Sequence, residues 1–324
     1  MDMDSRGNIL YLVVPCYNEE EGLEHAARVM RDKVRRLAAE GQISGKSKIM
    51  FVNDGSRDGT WKIISGLCKE DAVFCGICLS RNYGHQSAIL SGMLEAAKHA
   101  DMAVTIDADL QQDIEALDQF IACYQRGCEV VYGVRNNRDT DGFFKKMTAT
   151  GFYKLMGLLG CNVMQNHADY RLLSKAALQA LMEYKEVNLF LRGLIPTMGF
   201  PSDVVYFDVK KREAGHSKYT LKKMLALAVD GITSMSTRPL RMITVWGFLV
   251  SMFSMVMIVV CLVDWMIGKN VQGYTTTLVV SLLMGGLTIF SLGVVGEYVG
   301  KIYMETKARP RYIIEAIIWK EGEE

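Results

Sequence analysis

A chain of 324 residues is long enough to bury a full hydrophobic core and to hold one large or two small domains. Its 37 basic and 36 acidic side chains leave a net charge of +1, so no overall field draws it to nucleic acid. Eight cysteines are scattered without a second Cys-x-x-Cys pair beside Cys75 and Cys78, which excludes a zinc framework and, in a cytoplasmic body, a disulfide scaffold.

Met1-Asp2-Met3-Asp4-Ser5-Arg6 has neither the basic start nor the apolar core of a signal peptide. Strand-like apolar runs then recur at 9–14, 48–52, 73–79, 102–106 and 129–134. Helical patterns lie between several of them. Residues 19–40 carry Leu23, Ala27, Met30, Val34 and Leu37 at helical spacing, 86–99 is rich in Ala, Leu and Met, and 114–126 carries Leu117, Phe120, Ile121 and Tyr124. Such alternation predicts a mainly parallel sheet with helices on both faces, an α/β fold whose ligands sit at the carboxyl ends of the strands. Asn53-Asp54-Gly55-Ser56 and Asp107-Ala108-Asp109 both fall at such ends. A further strand is expected at 204–209. The apolar segment 221–232, with Lys222 and Lys223 near its start, reads as lying along a membrane surface.

The last third is different. Between Met242 and Ile267 the only charge is Asp264, and from Tyr274 to Gly296 there is none. Each run exceeds the roughly 20 residues needed to cross a bilayer. Arg238 and Arg241 precede the first run, and Lys301, Lys307, Arg309 and Arg311 follow the second. By the positive-inside rule both outer flanks, and with them both termini, are expected in the cytoplasm. The expected layout is a catalytic body over 1–220, a juxtamembrane segment over 221–241, two transmembrane helices within 242–300 and a cytoplasmic tail over 301–324. Gly285-Gly286 and Gly293-Val294-Val295-Gly296 would allow close helix approach in a homo-oligomer.

Asp107-Ala108-Asp109 carries the chemistry. On an extended backbone residues i and i+2 share a face, so both carboxylates are expected to project together, with Gln111 in the same parity if the extension continues. Hard oxygen ligands of this kind suit Mg²⁺ or Mn²⁺ bound jointly with substrate phosphates. The nucleotide motifs of other folds are missing. No Gly-x-Gly occurs, and Gly41 to Ser47 is one residue short of a phosphate-binding loop and precedes a strand where it should follow one.

Four ordered segments resemble the family 2 glycosyltransferases: Val13-Val14-Pro15-Cys16-Tyr17-Asn18-Glu19-Glu20, Val52-Asn53-Asp54-Gly55-Ser56-Arg57-Asp58-Gly59-Thr60, Arg81-Asn82-Tyr83-Gly84, and Asp107-Ala108-Asp109-Leu110-Gln111. Asp169-Tyr170-Arg171-Leu172-Leu173-Ser174 and Arg212-Glu213-Ala214-Gly215-His216-Ser217-Lys218-Tyr219 resemble the branch that glycosylates polyprenyl phosphates, which includes dolichyl-phosphate mannose synthases and bactoprenol glucosyltransferases. The resemblance covers essentially the whole chain. It implies a GT-A fold, a nucleotide-sugar donor, a divalent metal, a polyprenyl phosphate acceptor such as undecaprenyl phosphate, inversion at the anomeric carbon, and a multi-pass protein of the inner membrane. It further implies that Pro15, Tyr17, Asn18, Glu19, Asp54 and Asp107 bind the nucleotide, with Asp107, Asp109 and Gln111 at the metal.

Asp109, Asp169, Arg212 and Lys218 would be catalytic, and Arg212, Ser217 and Lys218 would hold phosphate. A site that brings two phosphate groups together needs cations beyond the metal, and Arg and Lys supply them. Asp169 need not act as a base, because a phosphate monoester is already largely ionised at neutral pH. It is expected to orient the acceptor or to hold Arg171. The expected donor is UDP-glucose, ahead of UDP-N-acetyl sugars and GDP-mannose. A processive polysaccharide synthase would want an Arg-Trp pair, which does not occur in this sequence, and a non-catalytic membrane scaffold would not need the acidic and basic residues that remain.

Overall fold

The computed structural model describes residues 7–136, 157, 159–160, 167–208, 231–234, 236–267 and 273–319. They form two compact units. The first comprises 1–153, 163–220 and 309–324, and the second 154–162 and 221–308.

The first unit is an eight-stranded sheet: β1 (Leu10–Cys16), β2 (Lys48–Asn53), β3 (Phe74–Leu79), β4 (Met102–Thr105), β5 (Val130–Arg135), β6 (His167–Ser174), β7 (Ser202–Phe207) and β8 (Ile314–Ile318). Its spatial order is β7-β5-β6-β4-β1-β2-β3-β8. β1 pairs in parallel with β2 and β4, β2 with β3, and β5 with β7. β6 runs antiparallel to β4 and β5, and β8 antiparallel to β3. The central strands read as continuous apolar runs because both faces are covered. Leu10, Leu12 and Val14 of β1 face a core built with α1 (Leu23–Ala39), α2 (Thr60–Glu70) and α4 (Leu117–Gln125). Tyr11 and Val13 face the other core, with α3 (His85–Ala96), α5 (Lys175–Glu183) and α6 (Leu191–Thr197). Each fully buried Leu, Ile, Val or Phe contributes about 1.5–3 kcal/mol, so these two layers carry most of the stability. α3 sits tight on the sheet because of Gly92, where a Cβ would lie 2.4 Å from the Val13 side chain.

The expected strands at 9–14, 48–52, 73–79, 102–106 and 129–134 appear within a residue or two, and that at 204–209 is shifted to Ser202–Phe207. Cys75 and Cys78 are buried free thiols. The C-terminal segment that reads from sequence only as a tail supplies β8.

The second unit contains α7 (Arg238–Met266) and α8 (Tyr274–Thr306). Both are long and apolar enough to cross a membrane, over Arg238–Met257 and Val280–Thr306. α7 starts four residues before its apolar run and ends one residue short of it, and α8 starts with its run and continues ten residues past it. Their large apolar side chains, among them Trp246, Phe253, Ile289 and Leu292, are exposed, which is a surface suited to lipid and not to water. Within this unit Tyr298 donates to the Ser236 carbonyl at 2.6 Å, and Lys301 to the Ser234 hydroxyl at 2.7 Å. Most of the expected surface segment 221–232 lies outside the described residues.

Candidate active site

Parallel pairing brings the carboxyl ends of β1, β2, β3 and β4 to one edge of the sheet, and the sequence motifs follow these ends. β6 runs the other way, with Arg171 opposite Thr105, so Asp169 lies beside the chain leaving β4.

A cavity of about 420 Å³ opens over the ends of β1 to β3, lined by Tyr17, Asn53, Ser56, Arg57, Trp61 and Arg81 among others. Its rim is made by local hydrogen bonds. Asn18 has a left-handed backbone, φ 55°, which Asn tolerates better than most residues. Its N–H donates to Ser56 Oγ at 3.0 Å, and its side-chain oxygen accepts from the Arg57 N–H at 2.9 Å. The Glu19 N–H donates to Thr60 Oγ1 at 3.0 Å. Gly55, at φ 63°, is pressed against the next loop. A Cβ there would lie 2.3 Å from the Arg81 carbonyl carbon.

Asp54 is 3% exposed. Its two carboxylate oxygens accept from the backbone N–H groups of Tyr83 at 2.7 Å and Gly84 at 3.0 Å. Burial raises its pKa, and these two amide bonds oppose the rise. The geometry makes Asp54 the clamp that shapes the Arg81–Gly84 loop, whereas the resemblance implies that Asp54 itself contacts the nucleotide. Pro15 is buried in β1 opposite Val52 and is not among the residues lining the cavity. Of the residues expected to bind the nucleotide, Tyr17 therefore lines the cavity, while Asn18, Glu19 and Asp54 build its walls.

The acidic motif departs from its expected geometry. β4 ends at Thr105, and Leu110 takes a left-handed backbone at φ 53°. The extension that would have put Gln111 in the parity of the two aspartates does not continue. Gln111 instead donates its backbone N–H to Asp109 Oδ1 at 3.1 Å. Gln112 is the side chain that holds Asp107. Its Nε2 donates to Asp107 Oδ2 at 2.6 Å, and its Oε1 accepts from the Asp107 N–H at 3.0 Å.

Asp107 and Asp169 meet through His85. His85 Nε2 lies 3.7 Å from Asp107 Oδ1 and 3.5 Å from Asp169 Oδ2. Asp169 is gripped by two guanidinium groups. Arg192 contacts both of its oxygens, at 2.8 and 3.2 Å, and Arg171 donates to Oδ1. Burial works against charge on Asp169, but His85, Arg171 and Arg192 outweigh it and hold the carboxyl well below the ordinary range. Burial likewise opposes charge on His85, and the Asp169 hydrogen bond and the Asp107 charge more than offset it, so its pKa is raised. Asp107 moves upward, chiefly through burial and further through Asp169 and Asp109, with His85 opposing.

Two nearby carboxylates whose charges repel suit a cation. Among the described residues no three His, Cys, Asp or Glu side chains could hold a metal by themselves. The donor set fits Mg²⁺ or Mn²⁺ arriving with a diphosphate, and it does not fit an all-protein cage.

No role was assigned from the sequence to His85, Gln112 or Arg192. His85 follows directly on Arg81-Asn82-Tyr83-Gly84, which is the signal that could have placed it. Arg192 sits in no motif. Arg212, Ser217, Lys218, Lys222 and Lys223 lie outside the described residues.

A mixed, mostly parallel sheet with an Asp-x-Asp turn at the carboxyl end of a central strand is the architecture of the GT-A fold. The chain belongs to glycosyl transferase family 2, whose pattern matches residues 11–182. It is 43% identical to a Bacillus subtilis protein described as the uncharacterized glycosyltransferase YkoT, over 97% of this chain and 93% of that one. It is 36% identical to the bactoprenol glucosyl transferase of Shigella phage SfX, over 94% of this chain and 98% of that one. Among solved structures, the glucosyl-3-phosphoglycerate synthase of Mycobacterium tuberculosis in complex with Mn²⁺, UDP-glucose and phosphoglyceric acid aligns over 73% of this chain and 82% of its own. The identity is 18% and the TM-score 0.45, a likeness too distant to carry ligand or mechanism across.

Proposed function

We propose that the protein is a membrane-anchored, inverting glycosyltransferase that moves glucose from UDP-glucose to a polyprenyl phosphate such as undecaprenyl phosphate. The observation that carries this reading is the 36% identity to a bactoprenol glucosyl transferase over 94% of the chain, a span that includes both apolar helices. The basic flanks of those helices favour a hairpin with the catalytic body and both termini in the cytoplasm.

The cavity over β1 to β3 takes the nucleoside, and the diphosphate extends toward Asp107 and Asp109. These two aspartates would hold Mg²⁺ or Mn²⁺, which when bound offsets the charge of the diphosphate. The acceptor arrives as an ionised phosphate, so no side chain has to remove a proton. One of its oxygens bonds to the anomeric carbon as the bond from that carbon to the donor phosphate oxygen breaks, and the electron pair leaves with the nucleoside diphosphate. Asp169 is too firmly ionised and too fully engaged by Arg171 and Arg192 to serve as a base. It is a positioning residue that fixes Arg192 and His85 beside the aspartate pair. Arg212 and Lys218 would supply further charge to the phosphates, and Lys222 and Lys223 would add attraction to anionic lipid.

The test is a donor panel of UDP-glucose, UDP-N-acetylglucosamine and GDP-mannose with a short polyprenyl phosphate and Mg²⁺ or Mn²⁺. Transfer of label to the lipid from UDP-glucose above the others supports the assignment. Transfer from another donor corrects the sugar, and hydrolysis without lipid product refutes the acceptor.

A further inference from the structure

The C-terminal strand has an irregularity where the nucleotide cavity opens. β8 pairs with β3 so that Gly76 faces Ile318, Ile77 faces Ile317 and Cys78 faces Ala316, and then the register slips and Leu79 faces Ile314. Glu315 is the residue left over. A bulge of this kind adds local twist and re-aims the extra side chain, and bulges gather at sheet edges and beside functional sites. This one lies at the carboxyl end of β3. Glu315 is exposed and lines the cavity together with Tyr17, Asn53 and Arg81. After burial, which is the main cause, its charge adds to the upward shift of the Cys78 thiol, another lining residue. Among the described residues it is the only carboxylate in the lining. Edge strands often carry a charge that deters edge-to-edge pairing. That role needs an outward charge, and it does not explain a bulge that turns the charge into a polar pocket.

We propose that Glu315 is a nucleoside-binding residue, so that the strand following the second apolar helix completes the nucleotide pocket. The proposal rests on the nucleotide-sugar reading given above. A carboxylate can only accept hydrogen bonds and is repelled by phosphate, so Glu315 meets the nucleoside half of the donor. Its partners are the N–H of the base or the hydroxyls of the ribose.

The test is calorimetric titration of the full-length protein in detergent with Mg²⁺, using UDP, GDP and inorganic pyrophosphate, on wild type, Glu315→Ala, Glu315→Gln and Ile317→Ala. For the nucleotide that binds wild type, Glu315→Ala should weaken affinity roughly tenfold, the usual scale of one lost charge-assisted bond. Glu315→Gln should fall between. Pyrophosphate affinity and melting temperature should not change, and Ile317→Ala should bind as wild type. The 2′-deoxy nucleotide and the base-methylated nucleotide separate the two partners. The one that lacks the relevant donor should bind wild type more weakly and lose nothing further in Glu315→Ala. Unchanged nucleotide affinity in a folded Glu315→Ala overturns the proposal while leaving the glycosyltransferase reading intact. Equal losses for nucleotide and pyrophosphate also overturn it, because they mark a strand that merely supports the fold. A wild type that binds neither UDP nor GDP overturns both.

Discussion

Asp169→Asn is the sharpest perturbation of the charged cluster. Asn keeps the shape and one acceptor oxygen but removes the charge. Asp169 is 9% exposed and Arg171 fully buried. Among the described residues the Nε and Nη1 atoms of Arg171 have no hydrogen-bond partner, and Asp169 is its main compensation. Removing one member of a buried ion pair leaves the other uncompensated and costs about 3–5 kcal/mol. For a unit of this size each kcal/mol moves the melting temperature by about 2–4 °C, so a drop of roughly 6–20 °C is expected. Near-ultraviolet circular dichroism of the detergent-solubilised protein reads it.

The pH dependence has a definite sign. A carboxyl held below its unfolded value contributes its full stability above that value, about 3.9, and loses it as the pH falls through the folded pKa. The gap between wild type and variant should therefore widen as the pH falls through the raised pKa of His85, whose charged form Asp169 stabilises, stay wide to about pH 5, and close below about pH 4. The double variant Asp169→Asn/Arg171→Met should recover part of the loss, because it removes the buried guanidinium that the single variant leaves uncompensated, while Arg192 reaches solvent. A melting point for Asp169→Asn within about 2 °C of wild type at neutral pH would refute the reasoning, as would a double variant no better than the single.

Asp54→Ala releases the Tyr83 and Gly84 amides and should raise the donor KM several-fold with a smaller change in kcat, at a cost of about 1–3 kcal/mol in positioning the loop, read by steady-state kinetics. Lys33 is buried on α1, with Glu115 at 2.9 Å and Asp118 as its partners; both carboxylates reach solvent, so Lys33→Met should change stability by less than about 1 kcal/mol and leave transfer unchanged. Asp109→Ala should fold and stay in the membrane yet lose most transfer, and wild type treated with chelator should recover only with Mg²⁺ or Mn²⁺. Arg212→Ala or Lys218→Ala should cost roughly tenfold to a hundredfold in rate, against a mild effect of Lys222→Ala that is partly rescued in neutral detergent. A cysteine placed at Asn270 should react with an impermeant thiol reagent from the outer side of the membrane, and one at Gly322 should not.

The central sheet was legible because its strands are buried on both faces and so read as unbroken apolar runs. β8 was not. Its five residues pair only at the sheet edge and follow a long helix, so they carry no pattern that separates them from a tail. The paired aspartates were legible as a motif, but the parity argument behind them failed at one residue. Leu110 turns left-handed, and no propensity of leucine signals that. This is why Gln112 and not Gln111 holds Asp107. Asp169 was expected to orient the acceptor or to hold Arg171, and its contact with Arg171 is present. The part played by His85 and Arg192 was not, since it depends on α3, α6 and β6 converging from distant stretches of chain.

The most direct test of the central claim is the chemical identity of the product. Purified protein in detergent is given radiolabelled UDP-glucose, undecaprenyl phosphate and Mg²⁺, and the organic phase is analysed by mass spectrometry and by the anomeric proton signal. The account predicts a single lipid product, glucosyl phosphoryl undecaprenol, with anomeric configuration opposite to that of the donor and absent in Asp109→Ala. A retained configuration would contradict the single-displacement step. A water-soluble polymer, or no lipid-linked sugar from any nucleotide donor with folded protein, would contradict the function itself.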